Sequence, residues 1–240
     1  MSAIKGARER ARAEITAAIK DEARRRLAED GAAKLSLRAV ARELGMVSSA
    51  VYRYYASRDE LLTALIIDAY DAVGAATEKA VEAAPPDDPA AAWTAACRAV
   101  RRWALDHPHE FTLIHGSPVP GYSAPQDTTG PAARVGLALI AVVRAAYDSG
   151  RLREPADDVP GPVADDIRQL LTGLGIEGLP VPVATRLIAA WAQLHGLVAF
   201  EVFGQFNGVI EAREPFFDLA AAGLARAVGL EPADRDAAAG

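Results

Sequence analysis

Apolar residues recur along most of this chain at intervals of three and four, the spacing that places them on one face of a helix. Between about Ala7 and Asp30 they fall at Ile15, Ile19, Ala23 and Leu27, a stripe that predicts an amphipathic helix, and Gly31 follows as its stop. Leu37, Val40, Ala41 and Leu44 repeat the pattern behind Ser36, whose hydroxyl suits an N-cap, and Gly45 ends that short element. A third helix is expected to run from Ser48, as its cap, through Tyr55. Ser57 and Glu60 form a capping box that opens a fourth, with Leu61, Leu62, Leu65, Ile66, Ala69 and Val73 turned inward.

Pro85, Pro86 and Pro89 interrupt the periodicity, with Asp88 as the cap and Pro89 as the first residue of a helix carrying Trp93, Ala96, Val100 and Trp103 on one face towards Asp106. The stretch from His115 to Pro131, rich in Gly, Pro and Ser, predicts a loop around one short helical turn. An apolar helix is expected from about Pro131 to Ser149, a short one from Val163 to Leu174, and two more from Val183 to Phe206 and from Pro215 to Val228. The expected class is all-α: a three-helix domain over residues 1–56, a larger helical domain over 57–230, and a frayed tail over 231–240.

Composition supports helix. Half of the 240 residues are hydrophobic, Ala predominates and β-branched runs are few. No uninterrupted apolar run reaches the roughly 18 to 20 residues of a membrane span, and the basic N-terminus lacks an apolar core for secretion. A cytoplasmic protein with no membrane partner is therefore expected. The single Cys97 excludes an internal disulfide. Charge is unevenly divided: residues 1–62 hold 13 basic and 9 acidic side chains, a balance of +4, and the remainder carries −10. A basic head on an acidic body suits a nucleic-acid binder with a second domain.

The third predicted helix carries the chemistry. Val51 and Tyr55 lie on one side, with Met46 before them, and can pack on Val40, Ala41 and Leu44 of the second helix. Ser49, Ala50, Tyr52 and Arg53 are then expected to face outward. Small polar residues let a helix enter the major groove closely, an arginine reaches guanine edges, and tyrosine hydroxyls bond phosphates. Arg38 and Arg58 each stand beside a helix N-terminus, where backbone amides attract phosphate. Two short helices around a glycine also occur in proteins that never meet DNA, so this pattern alone leaves plain packing open.

The run Leu37-Arg-Ala-Val-Ala-Arg-Glu-Leu-Gly45, with Val51-Tyr-Arg-Tyr-Tyr55 and Ser57-Arg-Asp-Glu-Leu61, closely resembles the N-terminal domain of the tetracycline repressor (TetR/AcrR) family of transcriptional regulators. Members usually carry Lys where this chain has Arg58, a change that keeps the charge. The resemblance implies that Arg38 touches a base or phosphate, that Ser48, Ser49, Ala50 and Arg53 face the groove, that Tyr52, Tyr54 and Arg58 hold the DNA backbone, and that Tyr55 is core. It implies a two-part regulator, commonly a repressor, whose C-terminal helices pair into a homodimer and enclose a small-molecule pocket. Trp191-Ala-Gln-Leu-His-Gly196 resembles the Trp-His-Gly signature of one C-terminal subclass. Core packing explains those residues equally well.

Two heads related by a two-fold axis would read a palindrome-like operator with half-sites about 34–36 Å apart. The expected seam comprises Leu187, Trp191, Leu194, Val198, Val202 and Phe206 on one helix and Phe216, Phe217 and Leu224 on the next. Trp93, Trp103, Phe111, His115, Leu137, Tyr147 and His195 are the expected lining of a cavity for a hydrophobic effector, though most of them equally suit plain core.

The competing class is an enzyme or metal protein built on His107, His109 and His115. Pro108 lies between helices there, and no further ligand at helical spacing completes a site, so no metal or other cofactor is expected. No nucleophile elbow, phosphate loop or dinucleotide fingerprint occurs, which argues against catalysis.

Overall fold

A computed structural model describes residues 2–156 and 158–231, so all of the expected tail except Glu231 lies outside the described residues. Among these the fold is all-α, its one β-type pairing a single antiparallel bridge between Leu152 and Leu230. The helices are α1 (Ser2–Asp30), α2 (Leu37–Glu43), α3 (Ser48–Val51), α4 (Arg58–Glu82), α5 (Pro89–Asp106), α6 (Pro108–His115), α7 (Thr129–Asp148), α8 (Gly161–Gly173), α9 (Val181–Val202) and α10 (Arg213–Val228).

Local chemistry explains most of the ends. Ser57 Oγ accepts from the Glu60 amide at 3.1 Å, while the Glu60 carboxylate reaches back to the Ala56 amide at 2.8 Å, a capping box displaced by one residue from its usual return contact. Asp88 Oδ1 accepts from the Ala91 amide at 2.9 Å and Pro89 begins α5, as expected. Two expectations change. Ser36 occupies the cap of α2 without a side-chain bond, and Val47 caps α3, which makes Ser48 the first helical residue. The third helix is also shorter than its pattern: after Val51 the chain tightens, with Tyr54 bonded back to Val51 at i+3.

The chain divides into two compact units, residues 1–72 with 107–132, and 73–106 with 133–240. In the first, the α1 stripe of Ile19, Ala23 and Leu27 packs with Leu37, Val40 and Ala41 of α2, Val51 and Tyr55, and Leu61, Leu62 and Leu65 of α4. Ile19, Leu61 and Leu62 are completely buried, and each such side chain contributes roughly 1.5–3 kcal/mol. Arg24 of α1 reinforces this packing, donating to Asp68 of α4 at 2.7 Å and Glu110 of α6 at 3.1 Å.

In the second unit α9 packs on α5, α8 and α10, and α10 also packs on α5. Gly74 lies where α4 meets α7: a Cβ there would stand 2.6 Å from that of Arg134, so only glycine permits the approach. Arg134 in turn holds Glu78 through its Nε at 2.8 Å. Two segments, 126–148 and Val181–Val202, reach the length and hydropathy of a membrane span, although neither is an unbroken apolar run. Charged residues interrupt both, among them Arg134 and Glu201.

Glu201, buried on α9, receives two bonds of 2.7 Å from Arg101 of α5, whose guanidinium also lies 5.4 Å from the Phe217 ring of α10. One side chain thus fastens three helices. Removing the cation leaves a buried carboxylate without its counter-charge. Arg101→Met is expected to destabilise the chain by about 3 kcal/mol, measured by urea unfolding, whereas Arg98→Met, which breaks the more exposed pair with Asp218, should cost less than about 1 kcal/mol.

Candidate nucleic-acid interface

The turn between α2 and α3 is set by Gly45, whose φ of 63° lies in the left-handed region. The following amide, Met46, returns to Ala41 O at 2.8 Å and closes the end of α2. With Val51 completely buried against the first unit's core, the opposite side of α3 and of the turn that follows it is presented outward: Ser49 and Arg53 are exposed, Tyr52 is 43% exposed, and Ser48 is half-buried. Ala50 is the exception. It is only 9% exposed and packs inward, because a one-turn helix lying close against the core covers two adjacent positions, 50 and 51.

The flanking residues behave differently from one another. Arg38, second residue of α2, is exposed. Arg58 is braced within the fold: its Nη2 donates to the carbonyls of Ala32 at 2.9 Å and Ala33 at 3.4 Å, and Nη1 lies 3.4 Å from Asp59. It therefore holds the 3-10 turn Ala32–Lys34 that leads into α2. Tyr54 is half-buried beneath the Arg12 guanidinium, 5.1 Å from its ring. Tyr55 belongs to the core as expected, and burial pushes its phenol above the ordinary tyrosine range.

Electrostatics singles out the same face. Arg24, Arg25 and Arg26 of α1 are all engaged by carboxylates, Arg25 so closely that Glu22 is held below its usual range by the guanidinium beside it. Arg38 and Arg53 have no carboxylate within ion-pair distance among the described residues. Three further exposed side chains share the region without a signal in the sequence pattern: Lys34, Arg42 and Val47, the last 70% exposed immediately before α3. An apolar residue between a glycine turn and a serine reads as packing, so only its position off the core reveals it.

The C-terminal expectations redistribute. Leu187, Leu194, Val198, Phe217 and Leu224, expected at a seam between copies, are buried within this chain because α9 and α10 pack on each other and on α5. Trp191 is 41% exposed, while Val202, Phe206 and Phe216 are half-buried. The outward apolar residues include Phe200, Phe203 and Leu219. Phe200 on α9, Phe203 just after it and Leu219 on α10 lie off the core stripe, hidden in the sequence by the stronger core pattern beside them. A groove of about 580 Å³ runs between these helices, lined by Gly196, Leu197, Phe200, Phe206, Phe216 and Gly223.

Of the expected effector residues, Phe111 and His115 fall in the first unit and Trp93, Trp103, Leu137, Tyr147 and His195 in the second. None lines any of the five described cavities. Trp93, Trp103 and Phe111 are buried in the packing of their own helices, and Leu137 is 41% exposed. His115 packs its ring 4.9 Å from Phe111, and His195 lies 4.9 Å from Trp191 with Nδ1 2.8 Å from the Trp191 carbonyl. Burial holds the His195 imidazole below its usual pKa, favouring the neutral ring. His107 caps α6 by position and His109 lines a small cavity; among the described residues no three His, Cys, Asp or Glu side chains converge on a metal-sized point.

Known proteins share this arrangement. Residues 19–65 match the family model described as bacterial regulatory proteins, tetR family, and residues 93–224 that described as tetracyclin repressor-like, C-terminal domain. The HTH-type transcriptional regulators Mb1846 of Mycobacterium bovis and Rv1816 of Mycobacterium tuberculosis are each 44% identical over 207 residues, spanning 84% of this chain and 86% of the relative. Among solved structures, the regulatory protein SCO4313 superposes with a TM-score of 0.74 at 32% identity, covering 90% of this chain and 97% of that one. The TetR family transcriptional regulator PfmR from Thermus thermophilus shares the fold, with a TM-score of 0.56 at 22% identity over 89% of this chain and 98% of its own.

The brace made by Arg58 has a measurable consequence. Arg58→Ala removes a charged donor from two backbone carbonyls, and the head is expected to lose about 1.5 kcal/mol of stability. Differential hydrogen exchange of the amides of residues 31–36 should locate that loss at the 3-10 turn.

Proposed function

The chain belongs to the tetR family of bacterial regulatory proteins, and on that footing we propose that it is a cytoplasmic, homodimeric repressor that releases a palindrome-like operator on binding a small hydrophobic effector. The observation that carries this reading is the outward side of α3 and of the turn after it, where Ser49, Tyr52 and Arg53 stand on a buried three-helix core and Arg53 lacks a carboxylate partner among the described residues. An unpaired arginine in the turn that directly follows a helix narrow enough for the major groove can donate two bonds to guanine. Val47 adds an apolar contact suited to a thymine methyl, and Arg38, Ser48, Tyr52, Tyr54, Lys34 and Arg42 supply phosphate contacts around it. Arg58 and Ala50 act by shaping the reader.

Dimerisation explains the outward apolar residues of the C-terminal helices. Phe200, Phe206 and Phe216 form a chain of ring contacts at 5.7 and 5.5 Å along a groove that the same two helices of a second copy would fill. Leu219, 68% exposed, follows the lining residue Phe216 by three positions on α10. We assign the C-terminal unit to the Trp-His-Gly subclass on the segment from Trp191 to Gly196, in which the glycine opens into this groove.

For the effector, the cavity of about 320 Å³ among α4, α6 and the loop after it has the required chemistry. Ile66, Ile114 and Val119 supply apolar wall, and the phenols of Tyr70 and Tyr122 supply polar tips. A ligand there relieves repression only if it prefers the state that does not bind operator. α4 is the conduit: it is one unbroken helix whose residues 58–72 belong to the first unit and 73–82 to the second.

Selection of bound fragments from a genomic library should enrich one palindrome-like sequence; recovery of unrelated fragments would refute the repressor reading. On the enriched fragment, Arg53→Ala is expected to weaken binding by about 1–3 kcal/mol and to relax preference at one base of each half-site. Replacing Phe200 and Leu219 together by Glu should convert the dimer to a monomer in sedimentation at micromolar concentration, with the helical circular dichroism retained.

A further inference from the structure

The first four turns of α1 present a feature that the operator-reading face does not account for. The buried stripe of this helix begins at Ile15, yet the helix extends back to Ser2, and every residue from Ala7 to Glu14 is exposed. A stretch of helix whose side chains are all exposed from residue 7 to residue 14 gains little from burial, so its charged residues are available to another partner. Residues 2–14 contain Lys5, Arg8, Arg10 and Arg12 against Glu9 and Glu14.

These arginines differ from those further along. Arg24, Arg25 and Arg26 are each neutralised by carboxylates of α1, α2 or α4, whereas Arg8, Arg10 and Arg12 form no ion pair among the described residues. Arg12 is positioned by a second observation: its guanidinium lies over the ring of Tyr54, the residue that follows the groove-facing Arg53. That contact uses the charge of the guanidinium and none of its N–H donors, which remain available to an anion. Arg8, four residues earlier, lies on the same helical face about 6 Å further along the axis. Arg10 points some 160° away from that face.

We propose that Arg8 and Arg12 form a separate phosphate-binding strip on α1, contacting the DNA backbone beside the groove entered by α3 and adding affinity without sequence preference. This rests on the head binding DNA but not on its reading a particular operator. The strip extends the contact beyond the two-helix motif and gives the polar extension of α1 its role. The geometry also separates the strip from Arg10, an equally charged and equally exposed neighbour on the opposite face.

The test is the salt dependence of binding to a duplex of random sequence, measured by fluorescence anisotropy on the full chain. Each phosphate contact contributes about 0.9 to the slope of log affinity against log salt. Arg8→Ala with Arg12→Ala should reduce that slope by about 1.8, so that a fourfold rise in salt costs the variant about 12-fold less affinity than it costs the parent. Arg8→Ala alone, whose side chain makes no ion pair in the fold, should reduce it by about 0.9. Lysine at both positions should restore it, and Arg10→Ala should leave it unchanged. An unchanged slope in the double variant overturns the proposal. So does an equal effect from Arg10→Ala, which would mean that only net charge matters. If genomic selection recovers no common sequence while the slopes behave as stated, the operator reading fails and the strip stands; a parent chain that binds no duplex removes both.

Discussion

Everything in the head depends on the burial of one short helix against two longer ones. α3 is a single turn and could not persist alone, since helix nucleation is unfavourable and one turn returns little. Val51 and Tyr55, inserted among Val40, Ala41, Leu61 and the α1 stripe, hold it in place. The same insertion decides which residues remain outside. Arg53, Tyr52 and Ser49 are free to meet a partner because Val51 and Ala50 are not. Stability and recognition in this unit are two sides of one four-residue helix and the turn that follows it.

The second unit uses polar chemistry for a comparable purpose. Arg101 and Glu201 connect α5 with α9, and the same guanidinium rests near Phe217 of α10. Pairing makes burial of that carboxylate tolerable. With Leu194, Val198, Phe217 and Leu224 consumed inside the bundle, the aromatic residues left over collect on one outward groove. That outward apolar surface follows from which stripe the bundle takes for itself.

Legibility follows the range of the interactions. The capping box at Ser57, the proline start of α5 and the glycine turn at Gly45 are set by neighbours within a few residues, and all are readable in the chain order. Ser48 reads as a cap, yet the chain uses Val47, since a backbone turn can replace a side-chain bond. Ala50 reads as outward on a long helix, whereas a one-turn helix covers more of its circumference. Arg58 reads as a free cation, yet its partners are the carbonyls of Ala32 and Ala33, some 25 residues away, and nothing in a local pattern announces them.

The amino-acid sequence by itself determined the helical class, the helix-turn-helix and the family, because periodicity, caps and turn residues act over short separations that the chain order displays. Only the tertiary structure decided which apolar residues on α9 and α10 are core and which are surface, that the expected effector residues Trp93, Trp103 and Phe111 are buried among their own helices, and which arginines stay unpaired. Those outcomes depend on what lies opposite each side chain after the helices pack, and burial and ion pairing are properties of that arrangement.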